Sequence, residues 1–433
     1  MPLNQSIELP CGIQIKNRIA KSAMTEGLAS LEGIPTDSLA RLYGIWGSGG
    51  AGLLLSGNIM VDKSHLERPG NVIFDGPVSQ TANSAILAWT DAGQCQGAQV
   101  WAQISHSGRQ TLKIVNAKPK APSAVPLKLP GGDFGRPIEL SIHEIEKIIE
   151  KFVSCAITAK KGGFTGVQVH AAHGYLLSQF LSPRSNLRTD QYGGPLINRA
   201  RALIEVVSET RRAVGRDFPV SVKLNSSDFQ RGGFSFEECL QVVSWLESEG
   251  IDLIEISGGN YEQPKLLGIA GMESEIEPYV PRIQRIKEAY FADFALAVRE
   301  KTSVPLMVTG GFRRREMMCE AIKIGSVDII GLARPMCVMT DAPSRLLEGL
   351  EELPRFEDTL SLLPSWLQIL KHIKLFRAIN GFAVQYWYYA QLEALGKTGK
   401  IDPDITVYKA MRHVQREQKI FVAKNRAASQ TLV

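Results

Sequence analysis

A short apolar run followed by an amphipathic or loop segment recurs eight times in this 433-residue chain, and no other feature limits the possible fold as strongly. Parallel strands need a long crossover between them, usually a helix, so this order is typical of a parallel sheet. Eight such units are enough to close the sheet on itself. The sequence therefore predicts an α/β fold, a (β/α)8 TIM barrel. Its strands are predicted at residues 18–23, 52–57, 100–105, 166–170, 220–225, 253–257, 306–309 and 327–332.

Amphipathic segments between these runs predict the outer helices of the barrel. Ser141 followed three residues later by Glu144 forms a capping box, which marks a helix start. In such barrels the chemistry lies at the carboxyl ends of the strands, so the residues that follow each run are the candidates for function. The helices are predicted at residues 37–46, 141–161, 197–214, 236–249, 281–301 and 314–324, with another starting near residue 79.

Residues 47–52 match GxGxxG, the pattern of a dinucleotide-binding loop. That loop functions only where it follows a strand and opens a helix, because free N–H groups there meet the pyrophosphate. Here the predicted order is reversed, with a helix before the glycines and a strand after them. We therefore interpret residues 47–52 as a helix end and a turn.

The residues past the eighth strand form a separate region. We expect a barrel at residues 1–345 and a C-terminal helical extension at residues 346–433, packed on the barrel or over its mouth. Residues 362–389 are rich in large side chains that usually need burial. A dimer contact and a helix lying on a membrane surface are the alternatives. The aromatic residues concerned are Trp366, Phe376, Phe382, Tyr386, Trp387, Tyr388 and Tyr389.

The six cysteines are far apart and form no CxxC pair, which argues against zinc ribbons and cysteine-held iron–sulfur clusters. Scattered cysteines suit a reducing compartment, so we expect a cytoplasmic protein. The first residues lack the pattern of a secretory signal, and no apolar run is long enough to span a bilayer, so no stable membrane association is expected. The net charge of +5 is spread along the chain, which disfavours nucleic acid as a partner.

Residues 170–194 have the sequence HAAHGYLLSQFLSPRSNLRTDQYGG. As a motif this stretch is specific, because it is long and defines the residue type at many positions. It resembles the signature of the Old Yellow Enzyme family of flavin oxidoreductases, and further matches occur at most strand ends between residues 13 and 335. The resemblance implies a barrel that holds FMN non-covalently and takes electrons from NADPH or NADH. The implied reaction is hydride transfer to the activated C=C bond of an α,β-unsaturated carbonyl or to a related small-molecule electrophile.

By this resemblance, His170 and His173 bind the substrate by donating hydrogen bonds to its carbonyl oxygen. Negative charge collects on that oxygen when hydride reaches the β-carbon, and two fixed N–H donors stabilise it as an oxyanion hole does. Tyr175 matches the family's proton donor to the α-carbon, and a phenol with a pKa near 10 is protonated at neutral pH. These three residues are the candidate catalytic group, and no metal is expected.

The resemblance also implies contacts to FMN at several strand ends. Lys223 stands where the family usually has Arg, and a lysine supplies a point charge without a planar fork. Glu26 and the two residues after it stand where some members carry a tyrosine that closes over the substrate. The candidate FMN-binding residues are Ser22, Ala23, Met24 and Thr25 along the ring edge, Gln103 and Lys223 at the pyrimidine, Gly311, Phe312, Ala333 and Arg334 at the phosphate, and Asn58.

Two other functions stay open at this point. His106, His170 and His173 could converge at the barrel mouth as ligands of a metal-dependent hydrolase, although no carboxylate motif accompanies them. The other alternative is a protein that holds flavin or a partner with little turnover, with the aromatic C-terminal region as its interface. A homo-oligomer is compatible with either.

Overall fold

The computed structural model describes residues 1–129, 133–263, 288–363 and 374–431. The main parallel sheet has nine described strands, and eight of them form a barrel in which each pairs with the next in chain order. The ninth, Val72–Ile73, pairs with the second barrel strand. The eighth strand pairs with the first, with Ile330 beside Ile19, and this closes the barrel. The predicted (β/α)8 fold is confirmed. Barrel strands 1 to 8 are Ile19–Lys21, Leu53–Met60, Gln99–Ser105, Gly166–Ala171, Val220–Asn225, Leu253–Ser257, Leu306–Thr309 and Ile329–Leu332.

Helices alternate with the barrel strands. The predicted capping box of Ser141 and Glu144 is present, and a second one joins Ser235 to Glu238. The predicted helix at residues 281–301 begins outside the described residues. The described helices are α1 (Asp37–Gly47), α2 (Gln80–Gln94), α3 (Ile142–Lys161), α4 (Leu176–Leu181), α5 (Leu196–Val214), α6 (Phe236–Ser248), α7 (Ala292–Arg299), α8 (Arg315–Lys323), α9 (Ala342–Glu348), α10 (Phe356–Thr359), α11 (Lys374–Thr398) and α12 (Val407–Thr431).

The glycine-rich segment at residues 47–52 ends a helix, as the sequence predicts. Gly47 is the last residue of α1, and barrel strand 2 begins at Leu53. Gly50 has a φ of +90°, a left-handed conformation that residues with a side chain rarely adopt, and a Cβ there would collide with Ser344. The segment is therefore a tight turn from helix to strand.

An apolar cluster fills the barrel near the amino ends of its strands. The antiparallel pair Ile7–Glu8 and Gln14–Ile15 contributes apolar side chains from the N-terminal segment. These join Leu53, Trp101 and Met307 of the barrel in one buried cluster. Because this end is filled by apolar groups, polar side chains are left to the carboxyl ends, where function is expected.

The C-terminal helices are tied to the barrel beside α1. Helix α11 packs against both α1 and α12, and the Arg41 guanidinium donates to the Gly396 carbonyl at 2.6 Å. Trp387 and Tyr388 are buried. The boundary at residue 345 stays a prediction. None of the described helices combines the length and apolar character that crossing a membrane requires. The predicted aromatic side chains that lie outside the described ones are Trp366 and Phe376.

Candidate active site

The three candidate catalytic side chains meet where barrel strand 4 ends. The ring centroids of His170 and His173 are 5.2 Å apart, those of His170 and Tyr175 are 4.7 Å apart, and both pairs meet edge to face. His173 has a φ of +59° and Gly174 a φ of +78°, so the backbone turns sharply and brings Tyr175 back beside His170. The structure thus brings together the residues that the motif indicates.

Both histidines are held in the neutral form. Burial lowers the pKa of His170 and of His173 well below the usual value, and the nearby Lys223 charge lowers both further. The Ala172 N–H donates to His170 Nδ1 at 3.2 Å, so the neutral ring of His170 carries its proton on Nε2. His173 Nε2 lies 2.7 Å from the Ser257 hydroxyl. Each neutral ring carries one N–H: that of His170 is on Nε2, and that of His173 is available to a ligand when the Ser257 hydroxyl donates to its Nε2.

Tyr175 has a second tyrosine as its hydroxyl partner. The hydroxyl of Tyr261, in the loop after barrel strand 6, lies 2.9 Å from that of Tyr175. Burial raises the pKa of Tyr175 well above 10, and Tyr261 adds to the rise, so the phenol stays protonated at neutral pH. Tyr261 was not predicted from the sequence, because it belongs to no motif and follows its strand by four residues.

A chain of polar side chains crosses the barrel interior below the histidines. Lys223 Nζ lies 2.9 Å from Glu255 Oε1, and Gln168 Nε2 donates to Glu255 Oε2 at 3.0 Å. Gln103 Nε2 donates in turn to Gln168 Oε1 at 2.7 Å. Gln168 precedes His170 by two residues, so both side chains point to the same side of the strand. The candidate flavin residues Gln103 and Lys223 are thus linked through Glu255.

The same network reaches barrel strand 1. Thr309 Oγ1 donates to Glu255 Oε1 at 2.6 Å and lies 2.7 Å from Ser22 Oγ. Glu255 is fully buried, and a buried carboxylate is stable only when its oxygens have partners of this kind. The sequence signal for Gln168, Glu255 and Thr309 is a polar residue within an apolar strand, which was not used in the prediction.

Two further candidate flavin residues, Thr25 and Asn58, lie beside an acidic group that was not predicted. Burial raises the pKa of Glu67, whereas the Arg68 charge and hydrogen bonding from Thr25, Asn71 and Asn58 lower it. In the described structure, Asn58 Oδ1 and Glu67 Oε2 are buried without a hydrogen-bond partner. Buried polar atoms of this kind normally have partners, so they are free to bind the polar edge of a flavin.

The segment after barrel strand 1 is held by two contacts to the rest of the protein, and part of it is accessible. The Ser22 N–H donates to the Leu332 carbonyl at 2.8 Å, and Met24 Sδ lies 3.4 Å from Cys337 Sγ. These contacts leave the segment partly accessible to a ligand. The residues that are only partly buried are Ala23, Met24 and Thr25.

The candidate phosphate-binding residues lie at the ends of barrel strands 7 and 8. Gly311 has a φ of +88°, and a Cβ there would collide with the Glu288 carbonyl, so glycine is required. Arg334 lies 3.6 Å from the Glu357 carboxylate, which also accepts from Arg313 at 2.6 Å. Arg313 is buried, and its Nε has no partner in the described structure. Arg313 could have been predicted from the sequence, because it follows Gly311 by two residues.

The remaining two phosphate candidates support this end of the site through the backbone. Phe312 is buried, and its carbonyl accepts from Arg313 at 2.8 Å. Ala333 directly precedes the short helix Arg334–Cys337. Unpartnered polar atoms at one end, and two guanidinium groups beside a glycine turn at the other, fit FMN with its ring system and its phosphate.

The three histidines of the alternative metal site do not converge. His106 stacks on His65, with ring centroids 4.3 Å apart, and these two with Asp62 are the described group whose ligand atoms lie close together. His65 Nε2 already accepts from the Lys120 N–H at 2.8 Å, and Asp62 pairs with Lys151 at 2.9 Å. Because His65 and Asp62 already have these partners, and His170 and His173 do not belong to this group, the geometry does not favour the hydrolase.

The Glu26 carboxylate is bound by groups of the protein itself. Its Oε1 accepts from the Tyr43 hydroxyl at 2.6 Å and from the Gly57 N–H at 3.0 Å, and Lys21 Nζ lies 3.5 Å away. Lys21 is fully buried, and burial lowers its pKa to about 8. This ion pair fixes the start of the chain after barrel strand 1.

Comparisons with known proteins bear on the same region of the chain. Residues 5–352 match the sequence profile of the NADH:flavin oxidoreductase / NADH oxidase family. The NADH-dependent flavin oxidoreductase iccE of Talaromyces variabilis is 34% identical over 92% of this chain and 99% of that protein. The NADH-dependent flavin oxidoreductase iliE of Neonectria sp. (strain DH2) is 37% identical over 77% of this chain, but this stretch spans only 45% of that relative.

Two solved structures share the fold. The old yellow enzyme homologue from Zymomonas mobilis superposes with a TM-score of 0.68 at 24% identity, covering 84% of this chain and 98% of that one. A 2-naphthoyl-CoA reductase in complex with 2-naphthoyl-CoA gives a TM-score of 0.70 at 26% identity, covering 80% of this chain and 52% of that one. The first likeness shows the barrel fold alone.

Proposed function

Because this chain belongs to the NADH:flavin oxidoreductase / NADH oxidase family, we propose that it reduces the activated C=C bond of α,β-unsaturated carbonyls. The resemblance drawn from residues 170–194 is confirmed at the level of the family, which binds FMN and takes its electrons from NAD(P)H. The observation that carries the substrate class is the buried group of His170, His173 and Tyr175, two neutral N–H donors beside a protonated phenol.

FMN, when bound, accepts hydride from the nicotinamide and supplies it to the substrate carbon. We propose that the ring system lies along residues 22–25 and Asn58, with Gln103 and Lys223 at its pyrimidine edge. The link from Lys223 to Glu255 holds the ammonium in place, because Nζ is 2.9 Å from the carboxylate. Gly311, Phe312, Ala333 and Arg334 are proposed for the phosphate, together with Arg313.

The two histidines bind the substrate oxygen in this proposal. His170 donates from Nε2, since its Nδ1 accepts from the Ala172 N–H. We infer that the Ser257 hydroxyl, 2.7 Å from His173 Nε2, donates to that nitrogen, which leaves Nδ1–H of His173 to donate to the substrate. Donors fixed before the reaction stabilise developing oxyanion charge at no cost of reorganisation, and each is worth about 3 to 4 kcal/mol.

Tyr175 donates the proton that the α-carbon requires. Its hydroxyl is the acid, and the Tyr261 hydroxyl 2.9 Å away is placed to return a proton to it afterwards. Burial keeps Tyr175 protonated throughout, because the buried phenolate is disfavoured. NADH is the proposed electron donor, and the names of the two fungal relatives, both NADH-dependent, support this choice.

The test uses the purified protein. Denaturation should release FMN in near-equal amount, anaerobic NADH should bleach the flavin absorbance, and 2-cyclohexenone should restore it. A colourless protein that gains no flavin on reconstitution would overturn the cofactor assignment. Reduced protein that is reoxidised by oxygen but by no enone would overturn the substrate class.

A further inference from the structure

Helix α11, which lies outside the family match, carries Tyr389 to Arg68. The match ends at residue 352, and α11 begins at Lys374. Tyr389 is close enough to Tyr175 and Tyr261 to influence the ionisation of both phenols. The Tyr389 phenol of the C-terminal extension therefore lies within electrostatic range of the candidate acid.

Tyr389 also stacks on a buried cation. The Arg68 guanidinium lies 4.1 Å from the centre of the Tyr389 ring, an attractive cation–π arrangement. Arg68 is 7% exposed, its Nε and Nη1 have no hydrogen-bond partner, and no described carboxylate forms an ion pair with it. Glu67 is its nearest acidic neighbour along the chain, and burial opposes the ionisation of that carboxyl. A buried guanidinium with free N–H groups is costly unless something binds it.

The space for this guanidinium is made by a glycine. A Cβ at Gly27 would lie 2.8 Å from Arg68 Cζ, so a larger residue there would displace the side chain. Gly27 follows Thr25, a candidate flavin residue, by two positions. Arg68 is thus enclosed between Gly27, just after the segment proposed to line the flavin, and the Tyr389 ring of α11.

We propose that Arg68 and Tyr389 form a subsite that binds an anionic group, a carboxylate, carried by the oxidising substrate. The proposal rests on the proposed function, since it places this subsite beside Tyr175. A guanidinium presents parallel N–H groups that match the two oxygens of a carboxylate, and the stacked ring holds its plane in one orientation. The preferred substrates are then unsaturated carbonyl compounds that also carry an acid.

The test compares two ligands that differ in one charge. FMN-loaded protein is titrated with 4-hydroxybenzoate and with its methyl ester, and binding is read from the change in flavin absorption. Both ligands offer a phenol to His170 and His173, whereas only the acid offers a carboxylate to Arg68. We expect the acid to bind about 10- to 100-fold more tightly, the range of a hydrogen-bonded charge. Equal affinities in the unchanged protein would overturn the proposal.

Three variants assign the effect to the subsite. Arg68→Met should remove the preference for the acid and leave ester binding unchanged, whereas Arg68→Lys should keep part of it. Tyr389→Leu should reduce the preference and Tyr389→Phe should retain it, because the ring and not the hydroxyl contacts the cation. Arg212→Met, at an exposed arginine of α5, is the matched control. Parallel weakening of both ligands in Arg68→Met would show a structural role and overturn the proposal.

Further outcomes distinguish the Arg68 subsite from the proposed function and from binding of NADH. If neither ligand changes the spectrum of the flavin-loaded protein, the histidine pair of the proposed function fails. If the ester binds and the carboxylate adds nothing, the Arg68 subsite alone fails. The phosphates of NADH are another anion that a guanidinium can bind, so the KM for NADH is measured in the reductive half-reaction. A higher KM for NADH in Arg68→Met, with an unchanged ratio of acid to ester affinity, would overturn the assignment of Arg68 to the substrate.

Discussion

At the proposed substrate end of the site, His170, His173 and Tyr175 are neutral groups packed edge to face, whereas at the proposed phosphate end two guanidinium groups share one carboxylate. Burial disfavours every charged form at the first end and lowers both histidine pKa values. At the second end, burial alone would raise the pKa of Glu357, but Arg334 and Arg313 lower it below its usual range.

The ligands proposed for the two ends account for the difference. A carbonyl oxygen gains charge only during the reaction, so neutral donors favour that moment over the resting state. A phosphate is charged throughout, so fixed positive groups are suitable. Changes at the first end should therefore alter rates, and changes at the second end should alter cofactor affinity.

The largest effect is expected from Tyr175→Phe. Proton transfer to the α-carbon should slow the oxidative half-reaction by roughly 10²- to 10⁴-fold, the contribution typical of a general acid. Flavin reduction by NADH needs no proton from this phenol and should be nearly unchanged. Stopped-flow measurement of each half separates the two. Tyr192→Phe, which removes a hydroxyl bonded to Glu205, is the control. Equal slowing of both halves would mean that Tyr175 only shapes the pocket.

A slightly smaller effect is expected when one oxyanion donor is removed. His170→Ala or His173→Ala should slow enone reduction by about 10²- to 10³-fold and weaken phenol binding. Release of FMN should be little affected, because these rings belong to the substrate end. The exposed His143 offers a matched change to Ala that should alter neither quantity. Unchanged phenol affinity in both site variants would rule out the pair as donors.

The barrel and strand 4 were predictable because local pattern and chemistry agree there. The strands recur in order, and the motif carries the candidate catalytic residues His170, His173 and Tyr175 within six positions. Tyr261, Arg68 and Tyr389 were not predictable, because they meet only through the fold. Tyr389 lies 214 positions after Tyr175, and no local rule links a C-terminal helix to a strand end. Long-range packing supplied the part of the site that the motif does not contain.

Arg334→Met tests the phosphate end, where the effect should be on binding. Loss of one charged hydrogen-bonding group should weaken FMN about 10- to 100-fold. The dissociation constant is measured by titrating flavin-free protein with FMN and following the quenching of flavin fluorescence. At saturating FMN, the rates of both half-reactions should stay within a few-fold of the unchanged protein. A large loss of rate at full occupancy would contradict the division between the two ends.

The smallest effect concerns acid stability, and it distinguishes the two ends by pH. His173 has a depressed pKa in the folded protein, so below about pH 6.5 the unfolded chain binds a proton that the folded one does not, and stability falls as pH falls. Glu357 has a lowered pKa too, but its unfolded value is near 4.5, so its contribution is lost only below that pH. Urea-unfolding midpoints of FMN-saturated protein from pH 7.5 to 5 measure both.

His173→Asn should reduce the fall in stability between pH 6.5 and 5 by up to about 1.4 kcal/mol per pH unit, because one fewer proton is taken up on unfolding. Glu357→Gln should lower stability by the same amount at every pH in this range, since the carboxylate stays ionised in both states above about pH 5. A slope that His173→Asn leaves unchanged would mean that the folded protein already binds that proton. The substrate end would then not be neutral, and its suitability as an oxyanion site would be lost.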